Sequence, residues 1–202
     1  MSESFVRRLT GLAGITAAAS LIIGVPLYFV HSGPPPDSNV LTRLLIQIVA
    51  LASLVVFVTA FRELVRRVSP AYDWAGSLAF ATGLVYATVV LVSSGLEAGE
   101  VSGTYILYGS ISRLLLALFL TAVGLVLTRA KPLPRWTGRS AYVLAVINLA
   151  SVPSLFSGND PADFYAANGW GSTASMGALL SYWLLAVGVS AYRSAGRPSL
   201  SR

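Results

Sequence analysis

The sequence predicts an all-α protein, a polytopic membrane helical bundle with six transmembrane helices. Of the 202 residues, 55% are hydrophobic and only 11% are charged, which is less than half of the roughly 25% that is usual in soluble domains. A soluble domain of this length could not bury so much apolar surface. Lipid is therefore the expected solvent for most of the chain.

Six apolar segments are long enough to cross a bilayer, because a helix needs ~20 residues to span ~30 Å of hydrocarbon. These segments cover approximately residues 9–30, 44–61, 74–95, 105–128, 140–157 and 172–192. The loops between them are short, so we expect a single integral membrane domain over residues 1–202. The first segment could instead be a signal peptide, but its long apolar run and the lack of a small-residue cleavage site favour an uncleaved span.

Small residues at helical spacing mark the faces on which the spans are expected to pack, because small side chains let helix backbones approach in lipid. They lie in spans one, three and six: Gly11, Gly14 and Ala18; Ala79, Gly83 and Ala87; Gly177, Ser181 and Gly188. In span four the expected inward face is Ser110, Arg113, Ala117, Thr121 and Gly124, with Leu114 and Leu118 on the opposite side. Arg113 should therefore point into the bundle.

The positions of lysine and arginine predict the orientation of the bundle. Twelve basic residues flank the spans on one side: Arg7, Arg8, Arg62, Arg66, Arg67, Arg129, Lys131, Arg135, Arg139, Arg193, Arg197 and Arg202. The opposite loops hold five acids and a single basic residue: Asp37, Glu97, Glu100, Asp160, Asp163 and Arg43. Six spans with both termini in the cytoplasm satisfy every loop.

One charge interrupts the apolar run of span four, in the stretch "GSISRLLLAL". Burying the unpaired side chain of Arg113 there costs ~2.5–3.5 kcal/mol on insertion scales. Two interpretations stay open. Arg113 anchors an anionic group such as a carboxylate, a phosphate or a lipid headgroup, or it is an internal clamp in an ion pair with Glu97 or Glu100.

Neutral polar residues on neighbouring spans could complete a pocket around this arginine. Asn148 precedes Pro153, which frees a backbone carbonyl near Leu149, and the tyrosines of spans three and four supply hydroxyl groups. We therefore expect a polar pocket that opens outward among spans two to five. Its candidate ligand-binding residues are Arg113, Ser110, Asn148, Gln47 and Tyr108.

The last outer loop, "SGNDPADFYAANGWGS", is the longest. Asn159 or Asp160 could cap a short helix with Pro161 near its first position. Asp160 and Asp163 are weak candidates for a divalent metal site, and helix capping with solvated charge is the alternative.

The composition excludes several kinds of chemistry. The chain has no cysteine and one histidine, His31, so thiolate sites and multi-histidine metal sites cannot form. No phosphate-binding glycine loop, metalloprotease motif or nucleophile elbow occurs, no catalytic residue or cofactor is predicted, and no acid falls within a span as a proton pump would require. No basic block interleaved with aromatic residues indicates nucleic-acid binding.

The stretch "KPLPRWTGRSAYVLAVINLASV" resembles uncharacterised bacterial multi-pass membrane proteins known only as a domain-of-unknown-function family. The shared features are the turn from Leu133 to Gly138 and the closing span "LLSYWLLAVGVSAYR". The resemblance covers about the last third of the chain. It implies a helical membrane bundle with no assigned activity, and no functional residue is carried over.

The sequence thus favours a bacterial plasma-membrane protein that acts as a non-enzymatic accessory, ligand-binding or partner-binding bundle. One alternative is a transporter or lipid-handling protein that holds an anion at Arg113. Another is an intramembrane enzyme acting on a lipid or isoprenoid near Asp160 and Asp163. Membrane lipids are the expected partners, together with other membrane proteins or a second copy of the chain.

Overall fold

The computed structural model describes residues 2–30, 38–99 and 103–196, and all regular structure in these ranges is helical. The main helices are α1 (Glu3–Gly24), α2 (Ser38–Val68), α3 (Asp73–Ala98), α4 (Ser112–Arg129), α5 (Arg135–Ser151) and α6 (Met176–Ser194). Short 3-10 helices follow α1, α2 and α5 at Pro26–Phe29, Pro70–Tyr72 and Val152–Ser157. Two π-helical turns precede α4 and α6, at Leu107–Ile111 and Gly171–Ser175.

Six helices of the described chain are long and apolar enough to cross a membrane, which confirms the predicted fold class. Helix α2 is much longer than the predicted span of residues 44–61. Its last turns stay helical because Glu63 forms ion pairs with Arg66 at 2.6 Å and with Arg67 at 2.5 Å. Ion pairs at spacings of three and four residues stabilise a helix whose sequence is no longer apolar.

The helices pack as sequential neighbours around one core. Helix α1 lies against α2 and α6, α2 lies against α3, and α4 packs between α3 and α5, whereas α5 and α6 touch only sparingly. The largest fully buried side chains come from α2, α4 and α6: Phe57, Phe61, Leu64, Leu116, Phe119, Leu120, Leu127 and Leu184. In α4, Arg113 is buried while Leu114 and Leu118 are exposed, as the sequence predicts.

Glycines let α1 and α6 cross closely. A Cβ atom added at Gly188 would lie 2.9 Å from the carbonyl oxygen of Gly11, and one added at Gly14 would lie 3.2 Å from the Cα atom of Gly188. Close backbone approach through small residues is the packing mode expected in lipid. The predicted packing faces of spans one and six thus meet each other.

Hydrogen bonds hold three chain segments together at one end of the bundle. Nη1 of Arg7 donates to the carbonyl oxygen of Pro132 at 2.9 Å and to Oγ of Ser194 at 3.2 Å. The beginning of α1, the α4–α5 loop and the end of α6 therefore share this end, which we call the basic end. The opposite end, which carries Glu97 and Asp160, is called the acidic end.

The predicted short helix in the last loop is wrong. Asp160 does cap, since its Oδ1 accepts the amide of Ala162 at 2.9 Å, but only a turn follows. The chain then folds back on itself, because the amide of Ala167 donates to the carbonyl of Gly158 at 2.8 Å. The hydroxyl of Tyr165 also donates to the carbonyl of Ala150 at 2.5 Å, which ties the loop to the end of α5.

Candidate functional site

Arg113 is the second residue of α4 and lies inside the bundle with 3% of its surface exposed. It directly follows the π-helical turn at Leu107–Ile111. Its Nη2 donates to the carbonyl oxygen of Thr173 at 3.5 Å, within the second π-helical turn. Its Nε is buried and has no hydrogen-bond partner among the described residues. A buried cation with so little compensation is costly.

The expected ion pair between Arg113 and Glu97 is wrong. Oε1 of Glu97 accepts a hydrogen bond from Nη2 of Arg43 at 3.1 Å, and the salt bridges of the described residues do not include Arg113. Glu97 lies near the last turn of α3, where Arg43 in the first turns of α2 can reach it, whereas Arg113 is deeper. The alternative partner, Glu100, lies outside the described residues.

Among the described residues, an aromatic ring partly compensates for the charge of Arg113. Its Cζ atom lies 5.8 Å from the ring centroid of Tyr108, one turn earlier in the chain. A guanidinium at this distance from an aromatic face gains roughly 0.5–2 kcal/mol, depending on how far it is desolvated. This cation–π contact does not supply the hydrogen-bond acceptors that a buried guanidinium requires.

A cavity of about 220 Å³ opens at the acidic end between α1, α2, α3 and the chain that precedes α6. We call it the large chamber. Its wall contains the Arg43–Glu97 ion pair and several hydroxyl-bearing residues, alternating with aliphatic side chains of α1 and α2. The polar residues of the wall include Tyr28, Gln47, Ser93, Thr104 and Thr173.

A second cavity of about 30 Å³, the small chamber, lies deeper and is lined by Arg113. The other polar residues in its wall are Gln47, Tyr86, Tyr108 and Ser112. Both chambers are lined by Gln47 and Tyr108, so the chambers adjoin and these two residues lie at their boundary. A volume of this size holds about two to three water-sized groups.

Most hydroxyl groups of the large chamber are already hydrogen-bonded within the fold. Oγ1 of Thr173 donates to the hydroxyl of Tyr28 at 3.0 Å, which itself donates to the carbonyl of Asn168 at 2.9 Å. Oγ of Ser93 donates to the carbonyl of Thr104 at 3.1 Å. These bonds fix part of the wall, while the hydroxyls of Thr104 and Tyr105 and Nε of Arg43 have no hydrogen-bond partner among the described residues.

The small chamber, including its boundary with the large chamber, holds a further group of polar side chains. Within the described ranges, no hydrogen bond involves the side-chain amide of Gln47 or the hydroxyls of Tyr86 and Tyr108. Together with Nε of Arg113, they form a group of unengaged donors from three helices and the turn before α4. Buried polar groups normally find partners, so this concentration marks the site.

The structure brings Arg113, Gln47 and Tyr108 together, but it places Ser110 and Asn148 elsewhere. Neither of these two residues lines a chamber. Oγ of Ser110 donates to the carbonyl of Val152 at 3.0 Å, and Nδ2 of Asn148 donates to the carbonyl of Leu144 at 2.8 Å. The bond of Ser110 links the turn before α4 to the end of α5, whereas the bond of Asn148 lies within α5.

The carbonyl that Pro153 was expected to free is also engaged. The amide of Val152 donates to the carbonyl of Leu149, because α5 tightens into a 3-10 helix at this point. The backbone thus compensates for the missing N–H of proline by itself. At this end of α5, Oδ1 of Asn148 and Oγ of Ser154 are buried without a hydrogen-bond partner among the described residues, but neither residue lines a chamber.

Thr173 and Arg43 were not predicted as site residues. Thr173 falls at the start of predicted span six, where a regular helix was expected, and the π-helical turn directs its carbonyl towards Arg113. Arg43 did carry a signal, because it is the one basic residue among the acids of the outer loops. That isolation pointed to an acidic partner, which the structure shows to be Glu97.

Asp160 and Asp163 lie on the surface of the last loop and are exposed. Oδ1 of Asp160 is engaged with the amide of Ala162. Among the described residues, no group of three or more histidines, cysteines, aspartates and glutamates is arranged to hold a metal ion. The loop thus offers a turn cap and solvated charge at these positions.

The fold and the site define a class: a small six-helix polytopic bundle with two adjoining chambers at its acidic end and a buried arginine in the deeper one. Comparison of the chain with family models, with curated proteins and with solved structures finds no match. The resemblance of the last third to a multi-pass family stays a prediction. Function is therefore argued from the chambers themselves.

Proposed function

We propose that the protein is a non-enzymatic, ligand-binding membrane protein that holds the anionic group of a small molecule at Arg113. The observation that carries this proposal is the state of the arginine. It is 3% exposed, makes one long hydrogen bond to the described residues, to a neutral acceptor, and lines a chamber next to a larger one. An anion in the small chamber would supply charge-assisted hydrogen bonds, which are about twice as strong as neutral ones.

The clamp interpretation is less well supported. A clamp needs a carboxylate, and Glu97 instead pairs with Arg43. An arginine that served packing alone would gain from a neutral residue of similar volume, since replacing buried charges by apolar groups is often neutral or stabilising. A buried guanidinium with so few hydrogen-bond acceptors fits a side chain that binds an anion from outside the chain.

We further propose that the bundle lies in a bacterial plasma membrane with its basic end in the cytoplasm. The support is the clustering of arginines at the end where Arg7 joins the α4–α5 loop and the end of α6, combined with the preference of cytoplasmic loops for positive charge. The chambers would then open towards the outer side. A ligand would reach Arg113 from outside the cell or from the outer leaflet.

Transport of the same anion is the second candidate function, and it uses the same site. On the side of Arg113 towards the basic end, α2 and α4 are filled by fully buried aromatic and aliphatic side chains such as Phe57, Phe119 and Leu120. In this conformation the chambers therefore end at Arg113. Binding without transport needs no further conformation, and for this reason it is the leading proposal.

The proposal is tested by anion-dependent thermal stability of the full chain in detergent at constant ionic strength, with chloride as reference and acetate, inorganic phosphate and pentanoate as probes. At least one probe should raise the melting temperature of the wild type by several degrees and leave Arg113→Leu unchanged. Arg62→Leu, at the basic end, is the matched control and should respond like the wild type. Equal responses in wild type and Arg113→Leu would overturn the proposal.

A further inference from the structure

We infer that the ligand is a small monocarboxylate, whose carboxylate occupies the small chamber and whose neutral remainder lies in the large chamber. This inference rests on the proposed function and specifies the chemical class of the ligand. Three independent features of the site carry it: the volume of the small chamber, the geometry of its donors and the sum of its charges.

The volume favours a carboxylate over a tetrahedral oxyanion. The small chamber measures about 30 Å³, and a cavity needs roughly 10–15 Å³ of such volume for each water-sized group. Two oxygen atoms fit this space, whereas the three terminal oxygens of a phosphate monoester or a phosphonate reach its upper limit against the wall formed by Leu51, Leu54 and Val90.

The donors also match a planar, two-oxygen acceptor. A guanidinium pairs with a carboxylate through two parallel N–H···O bonds in one plane, and Nε of Arg113 is unengaged. The amide of Gln47 and the hydroxyl of Tyr108 lie at the boundary between the chambers and have no partner in the described chain. They can donate to the carboxylate oxygens on the side that faces the large chamber.

The charges of the site allow one negative group and disfavour a second. Three charged side chains line the two chambers in the described ranges: Arg43, Glu97 and Arg113. Arg43 and Glu97 offset each other at 3.1 Å, so the charge of Arg113 is left over. A second carboxylate on the same ligand would enter the large chamber, where Glu97 already occupies Arg43 and leaves that carboxylate no unpaired cation among the described residues.

The large chamber limits the remainder of the ligand. Its volume of about 220 Å³ is below the roughly 300–1,000 Å³ of pockets for drug-sized ligands. Aliphatic residues such as Leu21, Val40 and Leu44 alternate with hydroxyl-bearing ones in its wall. A short neutral chain fits this wall, whereas the acyl tail of a phospholipid would exceed it.

Four five-carbon probes separate the ligand classes by calorimetry on the full chain in lipid nanodiscs: pentanoate, pentylphosphonate, glutarate and pentanamide. Pentanoate should bind at least tenfold more tightly than pentylphosphonate and glutarate, and pentanamide should not bind. Tyr108→Phe should weaken pentanoate about tenfold, because one donor to a charged group is lost. Tyr182→Phe, whose side chain is exposed, is the matched control and should leave the affinity unchanged.

The outcomes distinguish this inference from the proposal on which it rests. If pentylphosphonate or glutarate binds as tightly as pentanoate and Arg113→Leu abolishes that binding, the monocarboxylate inference is overturned while anion binding at Arg113 stands. If none of the three anions gives binding that depends on Arg113, both fail. Binding of pentanamide as tight as that of pentanoate would overturn both as well, because charge would then have no part in recognition.

Discussion

Arg113 donates to the carbonyl oxygen of Thr173 at 3.5 Å, and this is the one hydrogen bond that its guanidinium makes to the described residues. The same carbonyl also accepts the amide of Met176, so it is shared between the backbone of α6 and the side chain from α4. The contact joins the π-helical turn before α6 to the first turn of α4. It orients Arg113 without neutralising its charge.

Replacing Arg113 with leucine should leave the unliganded protein as stable as the wild type or stabilise it. The substitution removes a buried charge that has no anionic partner in the described chain, and such changes are often neutral or stabilising by 1–4 kcal/mol. The measurement is the melting temperature in detergent without added organic anion, together with the amount of protein in the membrane. Loss of folded protein would support the clamp interpretation instead.

Breaking the Arg43–Glu97 ion pair should have little effect on folding. The side chain of Arg43 is 21% exposed and that of Glu97 is 53% exposed, and exposed pairs contribute about 0–1 kcal/mol. Glu97→Gln should therefore change the melting temperature by no more than a few degrees. A collapse in stability would show that the pair supports the end of α3.

The same Glu97→Gln variant should change ligand preference. Glu97 is the one carboxylate that the described residues place in the wall of the large chamber. Removing it leaves Arg43 without its partner, so a ligand with two carboxylates gains a second cation. Glutarate should then bind more tightly than it binds the wild type, with a stronger dependence on salt concentration. Unchanged glutarate affinity would mean that Glu97 does not face the ligand.

The crossing of α1 and α6 should be sensitive to a single methyl group. Gly188→Ala would place Cβ 2.9 Å from the carbonyl oxygen of Gly11, and forced repacking of this kind typically costs about 1–3 kcal/mol. The check is thermal unfolding in detergent, with Gly95→Ala as the matched control because nothing lies within 4 Å of its added Cβ. Equal melting temperatures for the two variants would argue against close packing here.

The proposed orientation can be mapped with single cysteines, because the natural chain has none. A membrane-impermeant maleimide applied to intact cells should label Asp160→Cys and spare Lys131→Cys, since the first lies at the acidic end and the second in the α4–α5 loop. Permeabilised cells provide the labelling control for both. Labelling of Lys131→Cys in intact cells would reverse the orientation.

Hydropathy and residue size predicted which helices form and which faces turn inward. Ala79, Gly83 and Ala87 of α3 are all buried, and so is Arg113 in α4. Thr121 was expected on the same face and is exposed. It follows Arg113 by eight residues, and at about 3.6 residues per turn this places it well to the side of the inward face.

The sequence alone could not predict which residues the charged side chains contact. Periodicity shows that Arg113 points inward, but the depth at which it meets α3 depends on helix tilt and on the π-helical turn before α4. That depth decides which arginine Glu97 can contact. In the structure Glu97 forms its ion pair with Arg43. Likewise, the sequence of Gly171–Ser175 does not predict a π-helical turn. The contact between Arg113 and Thr173 therefore could not be predicted.

The most direct test of the central claim is a distance measurement between Arg113 and a bound anion. Solid-state NMR of the protein in lipid, with ¹⁵N in its arginine guanidinium groups and ¹³C in the carboxylate of pentanoate, should show a dipolar contact of about 4 Å. The contact should vanish in Arg113→Leu and persist in Arg43→Leu. A contact that persists without Arg113 and vanishes without Arg43 would contradict the role assigned to Arg113.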